Sequence, residues 1–163
     1  MGRLASRLQY ESLRAVTPYV YGDVLDLACG RAELLNVANG RIASYTGVEL
    51  SANRVRQLRA AYPRHHFVQR DLDTDPLDLE RRYDTVLLIS VIEHIYNQKH
   101  LLQQILRVLQ PTGRLVVTTP TPFGSDFMHR WGSALGLIAE GHADEHIVLY
   151  NRRRFELIAR DFD

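Results

Sequence analysis

Apolar positions along this chain follow two alternating rhythms: short β-favouring runs, and longer stretches with apolar residues three and four apart. Leu4, Leu8 and Leu13 share one face over residues 3–16, an amphipathic helix that ends before Thr17-Pro18. A strand over residues 23–27 runs into the small-residue turn Ala28-Cys29-Gly30. A helix follows from Ala32, with Leu34, Leu35, Val37 and Ala38 at helical spacing. Asn39-Gly40 marks a turn into a second strand, 42–50. Ser51 caps a helix with Val55, Leu58 and Ala61 on one side, stopped by Pro63. A short third strand, 65–69, closes on Arg70-Asp71 and leads to a polar loop containing Asp73, Asp75, Pro76 and Asp78. The most apolar run, residues 85–92, reads as a central strand covered on both faces. The helix 99–109 and, after Pro111-Thr112-Gly113, a fifth strand 114–119 complete the alternation.

Five strands alternating with helices predict an α/β domain built on a doubly wound parallel sheet with right-handed crossovers. Beyond Pro120 the rhythm breaks. Residues 121–149 are rich in Gly, His and aromatics and read as an irregular lid or acceptor pocket, with a helix near 126–137 and a last helix over 153–160. Phe123, Phe127, His129, Trp131 and Tyr150 suit the wall of a pocket for an organic small molecule.

A chain of 163 residues holds one core, so 1–163 is read as a single domain. A net charge of +1 argues against nucleic acid and anionic membranes as partners, and Arg152-Arg153-Arg154 reads as a solvated face. No apolar run approaches the roughly 18 residues of a membrane span. The one cysteine, Cys29, rules out an internal disulfide and a Cys-rich metal site. A cytoplasmic location is expected.

The turn after the first strand decides between ligand classes. A dinucleotide site wants glycine where this chain has Ala28, Gly30 and Glu33, and a carboxylate at Glu33 would repel a pyrophosphate. Asp26 adds a second negative group. A cationic ligand with hydroxyls suits this turn better than a diphosphate, which disfavours an NAD-dependent oxidoreductase.

The motifs VLDLACG, GVELS, QRDL, YDTVLLISVIEHI and LLQQILRVLQPTGRLVVTTP, in this order over about residues 20–120, resemble those of class I S-adenosylmethionine-dependent methyltransferases. The branch most similar is the small-molecule methyltransferases with E-H after strand four. The resemblance implies a Rossmann-like sheet of order 3-2-1-4-5, S-adenosylmethionine as cofactor, and methyl transfer to a small-molecule acceptor, at O or N before C. It also implies site roles. Ala28, Cys29 and Gly30 approach the methionine and ribose, with Asp26 beneath favouring the amino group. Glu49 takes the ribose hydroxyls. Asp71 accepts from the adenine amino group, Leu72 lies on its backbone side, and Leu50 and Ile89 sandwich the ring. Ala28 and Ala32 stand where the family has glycine. A methyl resists left-handed backbone, so the departure bears on cofactor affinity.

Glu93-His94 lies just past strand four, beside the expected methyl position. Histidine's ordinary pKa near neutrality makes His94 a candidate general base, with Glu93 beside it. Certain RNA methyltransferases bind a divalent cation through a similar set, here Glu93, His94 and His146. Their further glutamate is Ser90 in this chain, so no metal is assigned. On the N-terminal helix, Arg7 and Tyr10 suit either closure over the cofactor carboxylate or packing on the sheet. Complete members of the family carry two more antiparallel strands beside strand five. The chain therefore reads as C-terminally incomplete, without that hairpin, and with a strand-five edge open to homodimerisation. The altered turn and missing strands also leave room for a non-catalytic methyltransferase-like binding or scaffold subunit.

Overall fold

The computed structural model describes residues 13–38, 40–120 and 145–151. Residues 13–16 are helical, and Thr17–Tyr19 add a 3-10 turn with Pro18 inside it. Then follow β1 (Gly22–Leu27), α1 (Leu34–Val37), β2 (Ile42–Glu49), α2 (Ala52–Ala61), β3 (His66–Gln69), β4 (Tyr83–Ile89), α3 (Gln98–Val108), β5 (Leu109–Pro120) and β6 (Glu145–Asn151). The sheet order is β3-β2-β1-β4-β5-β6, the first five strands parallel as expected.

Alternation along each strand supplies two cores. Leu25 and Leu27 of β1, Val86 and Leu88 of β4, and Leu115 and Val117 of β5 turn to one face, where α3 buries Leu101, Leu102, Ile105 and Val108. Val24, Leu87 and Val116 turn to the other, against Val55 and Leu58 of α2 and Leu13, Val16 and Val20. Both faces of β1 and β4 are thereby covered. The apolar run of β4 requires this cover, and the parallel pairing brings the carboxyl ends of β1 to β4 to one side of the sheet.

Three expectations are corrected. Residues 145–151, read as part of an irregular lid, form β6, which pairs antiparallel with β5 from Arg114↔Asn151 to Pro120↔Glu145. The run His-Ile-Val-Leu-Tyr is β-favouring, and the unpaired hydrogen-bonding edge of β5 accepts it. The edge is thus covered within the chain, which removes the ground for a homodimer through strand five and for a wholly absent antiparallel addition. The central strand ends at Ile89, not residue 92. Ser90 takes a left-handed φ of 52° and donates its N–H to the carbonyl (3.0 Å) and hydroxyl (3.1 Å) of Thr118, turning the chain out of the sheet. The first crossover helix is one turn, Leu34–Val37, much shorter than the apolar spacing implied. Residues 3–12, with Arg7 and Tyr10, and residues 121–144 and 152–163, with the helices expected there, lie outside the described residues.

Candidate active site

The turn leaving β1 is left-handed at Ala28 (φ 59°), Gly30 (φ 57°) and Ala32 (φ 55°). The two alanines follow a path natural to glycine, at a cost of about 1–2 kcal/mol each. Both alanines thus hold the left-handed backbone that glycine adopts most readily. Cys29 anchors the turn, its N–H donating to the Val48 carbonyl at 2.9 Å. Its side chain is buried against Gly47, where an added Cβ would stand 2.7 Å from Sγ and 2.9 Å from Phe67. Burial pushes the Cys29 thiol up to about 12, and the nearby Asp26 and Glu49 push the same way, which favours the thiol over the nucleophilic thiolate. Above Gly30 there is open space, since an added Cβ would meet nothing within 4 Å.

The strand register gathers the three acids at this edge. Asp26 lies opposite Gly47 on β2, and Glu49, which ends β2, lies opposite Gln69, which ends β3. Asp26 is buried beneath the turn, where its Oδ2 accepts the Tyr45 hydroxyl at 2.6 Å. Burial raises its pKa to about 7 against the lowering pull of that hydrogen bond. Tyr45 itself is held well above its usual range by burial and by Asp26. Tyr45 is a partner that sequence reading missed, because an aromatic within an apolar strand carries no signal beyond packing.

Glu49 is also buried. Its Oε2 accepts the Gly30 N–H at 3.2 Å, and its Oε1 takes the Ser51 N–H at 2.9 Å and the Arg54 guanidinium at 3.3 Å. A carboxylate offers about four acceptor positions, so three donors leave room for a ribose hydroxyl. Arg54, on the first turn of α2, was not foreseen either. Only the Ser51 cap that starts the helix, accepting the Arg54 N–H, was legible.

Ala28, Val48, Leu50, Arg70, Asp71 and Leu72 line a cleft of about 110 Å³ beside the turn. Four expected adenosyl-site residues thus meet: Ala28, Leu50, Asp71 and Leu72. Leu50 is 63% exposed, a large apolar side chain left at the mouth of the cleft. Ile89 does not join them. It ends β4 half-buried and packs against the apolar cluster on the α2 side of the sheet.

On the far side of β4, the 3-10 turn Ile92–His94 presents Glu93 and an exposed His94. Both Glu93 carboxylate oxygens are buried and meet no hydrogen-bond partner among the described residues. The backbone of His146 lies opposite Thr119 at the same end of β5. Among the described residues no three metal-ligating side chains come together. No described helix is long and apolar enough to cross a membrane.

A protein family described as Methyltransferase domain matches residues 3–163. A probable S-adenosylmethionine-dependent methyltransferase of Mycobacterium tuberculosis is 31% identical over 98 residues, 60% of this chain and 35% of that protein. A ubiquinone biosynthesis O-methyltransferase of Rhodopseudomonas palustris is 25% identical over 119 residues, 66% of this chain and 47% of that one. The chain spans roughly a third to a half of the length of these relatives. Among solved structures, an S-adenosylmethionine-dependent methyltransferase from Mesorhizobium loti matches with a TM-score of 0.59 and 25% identity. That match covers 70% of this chain and 54% of the other. The N-methyltransferase NodS from Bradyrhizobium japonicum shares the fold, with a TM-score of 0.62 at 12% identity over 90% of this chain and 95% of that one.

Proposed function

The chain belongs to the methyltransferase-domain family, and from that premise we propose that it binds S-adenosylmethionine at the carboxyl ends of β1 to β3 and methylates a small-molecule acceptor at oxygen or nitrogen. The observation that carries this is the joint placement of Asp26, Glu49 and Asp71 at three adjacent strand ends around a turn left-handed at residues 28, 30 and 32. The turn leaves its backbone open over Gly30, where a ligand can approach. Glu49 receives a ribose hydroxyl, Asp71 takes the adenine amino group, and Leu50 and Leu72 flank the ring. Asp26 lies beneath the methionine end and favours its amino group. Once bound, the cofactor supplies a methyl already activated on a sulfonium.

On this reading the work left to the chain is alignment and proton removal. Glu93 supports an acceptor that carries hydrogen-bond donors, since its buried carboxylate meets no partner among the described residues and a hydroxyl or amine would supply one. His94, exposed beside it, takes the proton that the acceptor gives up. The net charge of +1 supports a small molecule over a nucleic acid, and the free cysteine fits a cytoplasmic location.

Calorimetry with S-adenosylmethionine, S-adenosylhomocysteine and NAD tests the cofactor assignment. Binding of the first two and not the third is expected, and tight binding of NAD alone overturns it. A metabolite screen with a labelled methyl donor then identifies the acceptor. Cofactor binding without turnover on any extract would instead favour the scaffold role.

A further inference from the structure

Two loops far apart in sequence are tied here by one carboxylate oxygen. Asp73, two residues past Asp71, accepts on Oδ1 both the Tyr96 N–H at 2.8 Å and the Asn97 N–H at 3.1 Å. On the cofactor side, the Asp73 N–H donates to Asp71 Oδ1 at 2.9 Å, and the Asp71 N–H donates to Asp75 Oδ2 at 2.9 Å. The Asp75 N–H closes the turn on the Asp71 carbonyl at 2.8 Å. On the acceptor side, Asn97 caps α3 by accepting the His100 N–H at 3.2 Å, and the Gln98 side-chain amide donates to the Ile92 carbonyl at 2.9 Å. The segment carrying Glu93 and His94 is therefore clamped at its far end by α3 and by Asp73. Tyr96 stands 97% exposed, so side-chain packing contributes little to holding its backbone.

We propose that Asp73 is a positioning residue through which occupancy of the adenosyl cleft orders the acceptor side. The inference rests on the reading of Asp71 as the adenine acceptor. A donor arriving at the second carboxylate oxygen of Asp71 stiffens the turn 71–75 and fixes the Asp73 carboxylate. That in turn holds the backbone at Tyr96 and Asn97 just past Glu93 and His94. A ligand that bears the ordering cost of a shared element lowers that cost for the next, so cofactor and acceptor each favour the binding of the other.

Amide exchange followed by NMR on the full 18.7 kDa chain tests this, with S-adenosylhomocysteine as the probe. In the wild type the ligand is expected to slow exchange of the Tyr96 and Asn97 amides by about tenfold. Asp73→Ala keeps the backbone N–H that reaches Asp71, so it should bind the ligand within about threefold of wild type. Its Tyr96 and Asn97 amides should nevertheless exchange fast and ignore the ligand. Asp73→Asn retains an acceptor oxygen and should restore the response. Bound ligand with no slowing in the wild type overturns the proposal, as does slowing that survives Asp73→Ala or is absent in Asp73→Asn. Failure of the wild type to bind S-adenosylhomocysteine would instead overturn the cofactor reading beneath it.

Discussion

Replacing Asp26 with asparagine should change how the stability of the chain responds to pH. In the folded protein burial lifts this carboxyl from its ordinary 3.8 to about 7, while the Tyr45 hydroxyl at 2.6 Å pulls the other way. The unfolded chain ionises Asp26 near its ordinary value. Between about pH 4 and 7 the native state therefore holds the extra proton, and stability falls as pH rises through that window. Above about pH 7 both states are ionised and the loss levels off. Each tenfold in proton affinity is worth about 1.4 kcal/mol, so the full swing is on the order of 4 kcal/mol for this buried group. Asp26→Asn removes the titration and leaves the other ionisable groups in place. Urea unfolding of both proteins from pH 4 to 8 isolates the effect: the difference in stability should drift toward the variant by up to about 1.4 kcal/mol per pH unit, then flatten. A difference independent of pH over that range would show that Asp26 is not held protonated, and the account of the buried Asp26–Tyr45 pair would be wrong.

Ala28→Gly should stabilise the chain by about 0.5–1 kcal/mol, the left-handed cost relieved less the entropy of an added glycine. At Ala32, which is fully buried, the lost methyl offsets most of that gain, and thermal unfolding of the two variants separates them. Gly47→Ala should destabilise by about 1–3 kcal/mol, because its methyl would press on Cys29 Sγ and the Phe67 ring; an unchanged midpoint in urea would contradict that packing. Glu49→Gln should weaken S-adenosylhomocysteine binding by about 10- to 100-fold in calorimetry, the loss of one charge-assisted hydrogen bond. His94→Ala should lower kcat by about 10²–10⁴ with cofactor affinity unchanged; equal losses in both would mark it as structural.

The parallel sheet was legible because burial on both faces writes an apolar run into β4 and helical spacing between the strands dictates crossovers, while the strand order came only with the resemblance to a known family. The Ser51 cap, the turn at 28–30 and the acids at the strand ends were legible because each is a local requirement of its own residue type. Other features are not local properties. Tyr45 reaches Asp26 only because β1 and β2 pair in one register, and Arg54 reaches Glu49 only because α2 folds back over the strand end. Ile89 looked like a ring-binding residue, but its side chain falls on the opposite face from the cleft-lining Leu72. The end of β4 at Ser90 depends on donors and acceptors offered by β5, and β6 forms because β5 presents an edge to pair with. Apolar pattern and turn chemistry set which elements exist and in what order. Pairing register, burial and the meeting of distant loops, as at Asp73, belong to the tertiary structure, because they depend on distances through space that no spacing along the chain encodes.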